Sequence, residues 1–120
     1  ELSGGMQKRV ALARTLILDP QVIFFDEPTT GLDPLIANSI LRLIHQLRDQ
    51  LGFTAIIVTH NFHKVFPIVQ KVAMLHEGEI VAHTTPSDFK ETDHPAVQEF
   101  VREAMEGPLE GENNGYESNG

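Results

Sequence analysis

The sequence predicts an α/β fold in which a parallel sheet is flanked by helices and followed, toward the C-terminus, by a hairpin and short helices. Three observations predict it. Val22 to Phe25 form a short apolar run that ends on two acids, Asp26 and Glu27, and on Pro28, which cannot continue a central strand. A helix-period stripe of Ile36, Ile40, Leu43, Leu47 and Leu51 separates that run from a second one, Ala55 to Thr59, expected to be a buried, β-branched strand, and strand, helix and strand at this spacing make a βαβ unit. Further on, Val72 to Leu75 and Ile80 to Ala82 flank His76-Glu77-Gly78-Glu79, a glycine turn suited to a hairpin.

The first element is a helix that follows Ser3, Gly4 and Gly5, with Met6, Val10, Ala13 and Ile17 on its expected inner face. Ser3 can serve as its N-cap, and the two glycines leave the first backbone N–H groups open to close approach. Such a start suits either a plain cap or a phosphate site. Asp19-Pro20 ends the helix and turns the chain into Val22 to Phe25, a strand expected to be buried on both faces. Two acids at the end of a buried strand are costly unless a positive group faces them. The position suits a divalent metal carrying a polyphosphate, because open α/β sheets bind ligands at the carboxyl ends of their strands, and it also suits an ordinary acidic turn.

Thr29 to Pro34 read as a loop, with Pro34 in the first turn of the second helix and Gly52 closing that helix. His60 ends the second strand in the same topological place as Asp26 and Glu27, where an imidazole could donate to a phosphate oxygen or cap the next helix. His60 and His63 lack further ligands at metal-site spacing. Phe62, Val65, Phe66 and Val69 mark a short helix disturbed by Pro67, and Phe53, Phe62 and Phe66 are expected in the core. Thr85-Pro86 starts one short helix and His94-Pro95 another, the latter with Val97, Phe100, Val101 and Ala104 inward. From Gly107 the chain is expected to be a disordered acidic tail.

Composition fits one domain, with 41% apolar residues and no cysteine for a disulfide framework or a thiolate zinc site. Five of the acids lie at Glu103, Glu106, Glu110, Glu112 and Glu117, with no Lys or Arg among them, so the remaining chain carries only −3 of the net −8. That balance speaks against a general nucleic-acid surface. No apolar run approaches the roughly 18 residues of a membrane span. The chain opens on Glu1-Leu2-Ser3-Gly4-Gly5 rather than on Met, and a missing N-terminal part is expected.

In combination these stretches resemble the ATP-binding subunit of ATP-binding cassette (ABC) transporters, a P-loop NTPase-like fold, in its C-terminal half. Leu2-Ser3-Gly4-Gly5-Met6 is similar to the ABC signature, with Met6 where Gln is commoner and Gln7 beside it. Val22 to Asp26 resemble the Walker B strand, Glu27 the catalytic glutamate, Thr30-Gly31-Leu32-Asp33 the D-loop, and His60 the switch histidine. Four motifs in order over residues 1 to about 83 are far more specific than any one of them.

The resemblance implies ATP and Mg²⁺ as cofactors. It makes Asp26 the Mg²⁺ ligand, Glu27 the residue that polarises the attacking water, and His60 a donor to the γ-phosphate. Leu2, Ser3, Gly4, Gly5 and Gln7 would form the signature surface that closes on an ATP held by a second ATPase subunit, with Asp33 crossing the interface of that head-to-tail homodimer. The Walker A loop, the adenine-stacking aromatic and the Q-loop precede the signature in the family and are not in this chain. The chain alone is therefore expected neither to bind ATP tightly nor to hydrolyse it.

Residues 2–10 are similar to the signature region of the Mla/Mce type, which drives phospholipid traffic. Pro95 to Val101, followed by Glu106-Gly107-Pro108, are similar to that type's C-terminal helix and tail. This implies transmembrane permease subunits and an Mce-domain substrate-binding protein as partners, no nucleic acid, and a place at the cytoplasmic face of the inner membrane. The expected division is 1–92 for the ATPase portion, 93–106 for the C-terminal helix and 107–120 for the tail. An importer of polar solutes such as amino acids is the alternative within the class. A non-transport ABC ATPase of DNA repair or translation, or a non-catalytic interaction module, are the alternatives outside it.

Overall fold

The computed structural model describes residues 3–106. Leu2 and the expected tail 107–120 lie outside the described residues. Two compact units follow one another, the first ending at Ile68 and the second beginning at Val69.

In the first unit, helix α1 (Gly4–Ile17) leads to strand β1 (Val22–Asp26), helix α2 (Pro34–Leu51) and strand β2 (Thr54–Val58). β1 and β2 pair in parallel, from Val22 opposite Thr54 to Asp26 opposite Val58. The helix ends follow local chemistry. Ser3 caps α1, accepting from Met6 N, and Asp33 caps α2 with Pro34 in its first turn. Gly52 closes α2 in the left-handed region at φ 77°, which a side chain would resist. Leu12, Ile40 and Ile44 form the core, with Leu16, Phe25, Leu32, Ile36, Leu43 and Leu47 packed around them. Past β2, α3 (Phe62–Val65) gives way to a 3₁₀ turn over Phe66–Ile68, where Pro67 lacks the N–H an α-helix would use. Phe53 and Phe62 are buried as expected, and Phe66 packs half-buried with its ring 4.5 Å from that of Phe62.

Two expectations about this unit are corrected. The inner face of α1 is Gly5, Leu12 and the half-buried Leu16, whereas Met6, Val10 and Ala13 are exposed and Ile17 is 81% exposed. The apolar residues of α1 form two stripes, and only the one reached by Ile40 and Ile44 of α2 is covered. Likewise neither strand is buried as expected: in β1 Ile23 is buried and Phe25 half-buried, but Phe24, on the opposite face, is 70% exposed, and in β2 Ile56 and Val58 are exposed. A two-stranded sheet has alternating faces, and the helices among the described residues of this unit cover one of them.

The second unit holds the hairpin of β3 (Val72–His76) and β4 (Glu79–Thr84), followed by α4 (Pro86–Lys90) and α5 (Pro95–Glu106). Glu77 and Gly78 take φ values of 50° and 81°, the left-handed pair that a two-residue hairpin turn demands. Thr85 caps α4 by accepting from Asp88 N, and His94 Nδ1 accepts from Ala96 N at the start of α5. Phe89 and Val97 are buried, with Phe100 edge-on to Phe89 at 6.2 Å.

Candidate functional site

The site lies at the carboxyl ends of β1 and β2. Parallel register sets Asp26 opposite Val58, so the residues following each strand emerge side by side. Glu27 continues the ladder by one bond, its N–H donating to Val58 O at 2.8 Å, but its own φ is 47°. Few residues with a side chain adopt that left-handed conformation. Here it turns the chain out of the strand into Pro28.

The Glu27 carboxylate is held by both oxygens. Oε1 lies 2.8 Å from His60 Nδ1, and Oε2 accepts from Thr30 Oγ1 at 3.1 Å. These partners favour the ionised form: the His60 hydrogen bond foremost, then the Thr30 hydroxyl, the His60 charge and Thr59 together outweigh desolvation and hold the carboxyl below its ordinary value. An ionised carboxylate accepts about four hydrogen bonds. At least one position therefore remains for water. His60 is 79% exposed on its side chain, and Asn61, not His60, occupies the position before α3.

Asp26 ends β1 exposed, and among the described residues no hydrogen bond or ion pair engages its carboxylate. No cluster of three ligating side chains surrounds it among the described residues. One free carboxylate is a donor set that fits Mg²⁺, which keeps several waters and takes its other ligands from substrate phosphates. A cleft of about 170 Å³ between α1 and β1 reaches Asp26 and is lined otherwise by residues such as Lys8, Leu12, Thr15, Ile23 and Phe25. It is smaller than the roughly 300 Å³ at which ligand pockets begin.

A second group gathers at the starts of α1 and α2. Ser3 Oγ accepts from Met6 N at 3.2 Å and Ser3 O from Gln7 N at 2.9 Å. Asp33 Oδ1 accepts from Leu35 N and Ile36 N at 3.0 and 3.1 Å. The glycines join the two helix starts. A Cβ on Gly4 would come within 2.9 Å of Leu32 Cδ2, and one on Gly5 within 2.7 Å of Ile36 Cγ2. Their small size thus serves helix packing as well as access to the α1 amides. Arg9 adds a third tie, donating to Ser39 Oγ at 2.9 Å.

Sequence reasoning placed Thr30 in the D-loop stretch without its bond to Glu27, and missed the Arg9–Ser39 pair. A hydroxyl three residues after an acid, in a stretch of turn composition, was a signal for the first. The second, between residues 30 apart, had none.

The similar proteins include ATP-binding components of transporters. A family model described as ABC transporter matches residues 1–30. The chain is 38% identical over 109 residues to the intermembrane phospholipid transport system ATP-binding protein MlaF of Escherichia coli K12, covering 91% of this chain and 40% of that protein. It is also 38% identical over 111 residues to the Fe(3+) ions import ATP-binding protein FbpC of Rhizobium etli, covering 92% of this chain and 31% of that protein. Among solved structures, a nucleotide-free ATP-binding cassette from an ABC transporter superposes with a TM-score of 0.74 at 29% identity, over 83% of this chain and 40% of that one. The chain thus spans about 40% of the length of the phospholipid-transport relative.

Proposed function

From the premise that this chain belongs to the ATP-binding cassettes of ABC transporters, we propose that it forms part of a subunit coupling ATP hydrolysis to phospholipid transport of the Mla/Mce type. The observation that carries the hydrolytic reading is the Glu27–His60 contact at the ends of adjacent parallel strands, with the free Asp26 carboxylate next in the chain.

In this reading Glu27, kept ionised by its neighbours, accepts a hydrogen bond from the attacking water and takes its proton as the water oxygen bonds the γ-phosphorus and ADP leaves. Asp26 would hold Mg²⁺ through water. The bound ion supplies neutralisation of charge on the β- and γ-phosphates. His60 bonds Glu27 through Nδ1, and to donate to a phosphate through Nε2 at the same time it must be the imidazolium, since a neutral ring has a single N–H. Ser3 and the amides of Gly4 and Gly5, at the positive end of α1, would close on the γ-phosphate of an ATP held by a second subunit, flanked by Leu2 and Gln7. Asp33 would reach across that head-to-tail homodimer with the carboxylate oxygen that capping of α2 leaves over.

Transmembrane permease subunits and an Mce-domain protein would complete the assembly at the cytoplasmic face of the inner membrane. No helix among the described residues is long and apolar enough to cross a membrane. The equal identity to the Fe(3+)-import protein supports a second reading, an importer of small solutes or ions. Both readings predict that Glu27→Gln in the complete subunit abolishes ATP turnover while leaving ATP-driven dimerisation intact. Near-normal turnover by that variant would remove Glu27 as the base. ATP-dependent transfer of fluorescent phospholipid by the subunit reconstituted with its permease separates the two. Transfer supports the lipid reading, whereas turnover stimulated only by a loaded solute-binding protein supports the importer.

A further inference from the structure

Glu27 has a backbone fixed on both sides and a side chain that the backbone does not fix. Its N–H is bonded to Val58 O and its carbonyl accepts from Thr30 N at 3.3 Å, with φ at 47° between them. Three side-chain torsions still separate that backbone from the carboxylate. Two donors remove the freedom, His60 Nδ1 on Oε1 and Thr30 Oγ1 on Oε2. They differ in how firmly they are themselves held. The His60 side chain is 79% exposed and lies 33 residues away in sequence, two residues past the end of the neighbouring strand. Thr30 belongs to the same turn as Glu27 and is tied to it by main chain and side chain together. The Thr30 hydroxyl donates to a side-chain carboxylate rather than to a backbone group, so this bond orients Glu27 instead of closing the turn.

We propose that Thr30 is a positioning residue for Glu27, its hydroxyl fixing the carboxylate through the oxygen that His60 leaves free so that Glu27 meets the attacking water in one orientation. The inference rests on the reading of Glu27 as the hydrolytic base. In that reading His60 is shared between Glu27 and a phosphate, whereas the Thr30 hydroxyl serves the carboxylate. The loss of such a bond acts on the chemical step, where the position of the base matters, and leaves nucleotide binding alone.

The test is steady-state ATP turnover by the complete ATP-binding subunit carrying this segment, comparing Thr30→Val, Thr30→Ala and Thr30→Ser with wild type and with Glu27→Gln. The two variants without a hydroxyl should lose kcat about tenfold, with KM for ATP unchanged within about twofold. Thr30→Ser, which keeps the donor, should stay within about threefold of wild type in kcat. Wild-type kcat in Thr30→Val and Thr30→Ala, with Glu27→Gln inactive, would overturn the role of Thr30 and leave the base in place. Equal losses in Thr30→Ser, or melting of the hydroxyl-less variants well below wild type by circular dichroism, would make Thr30 structural and overturn it too. Turnover retained in Glu27→Gln would remove the base itself, and the positioning role with it.

Discussion

Gly5 offers the sharpest physical test of how α1 and α2 meet. A Cβ there would lie 2.7 Å from Ile36 Cγ2, well inside the 3.4 Å at which ordinary contact begins. Ile36 Cγ2 branches directly from Cβ on a helix, where a β-branched side chain has essentially one χ1 rotamer, so it cannot swing aside. Gly5→Ala must therefore push the helices apart, and overpacking of this kind costs about 1–3 kcal/mol. Removing a helical glycine offsets about 0.5–1 kcal/mol of that. A net destabilisation of up to about 2.5 kcal/mol is expected by combining these. Gly4→Ala meets only Leu32 Cδ2, the far end of a flexible side chain, at 2.9 Å, and should change stability by no more than about 0.5 kcal/mol.

The decisive comparison is Gly5→Ala in an Ile36→Ala background. With the opposing methyl gone, the same substitution should stabilise the protein by up to about 1 kcal/mol, so its effect changes sign. Urea unfolding of the four proteins by far-UV circular dichroism, without nucleotide, measures this apart from any phosphate binding. A Gly5→Ala effect equally destabilising in both backgrounds, or already stabilising in wild type, would refute the packing role of Gly5.

Other outcomes follow from the same contacts. Asp33→Ala removes the acceptor for Leu35 N and Ile36 N and should lower stability by about 1 kcal/mol, while Asp33→Asn keeps most of the cap, both read from urea midpoints. The folded Glu27 carboxyl ionises below its ordinary value of 4.5, so its contribution to stability is complete above that pH and is lost as pH falls through the folded value. The urea midpoint of wild type should accordingly fall more than that of Glu27→Gln between about pH 7 and pH 3, and parallel curves would contradict the cause assigned to the shift.

Much of this protein is written in local chemistry. Ser3, the Asp33-Pro34 pair, Gly52 and Thr85-Pro86 each mark a helix end by groups within four residues of the backbone they serve. Glu77-Gly78 sets the hairpin by its φ values alone. The apolar periods of α2 and of the two parallel strands fix their order and type, and the acids and histidine at the strand ends are legible because strand direction alone decides which end they occupy. Short-range causes leave short-range signatures, and a reader of the sequence can find them.

Tertiary structure decided what depends on residues far apart in the chain. Two apolar stripes run along α1, and only the meeting with Ile40 and Ile44 selects the one through Leu12 and leaves Ile17 exposed. The glycines of α1 read as openings for an anion, yet Leu32 and Ile36 also need them small. Glu27 and His60, 33 residues apart, become partners only because parallel register sets the two strand ends side by side. The left-handed turn at Glu27 then lets Thr30 take the other oxygen. The sequence supplied the groups, and packing and register determined which of them touch.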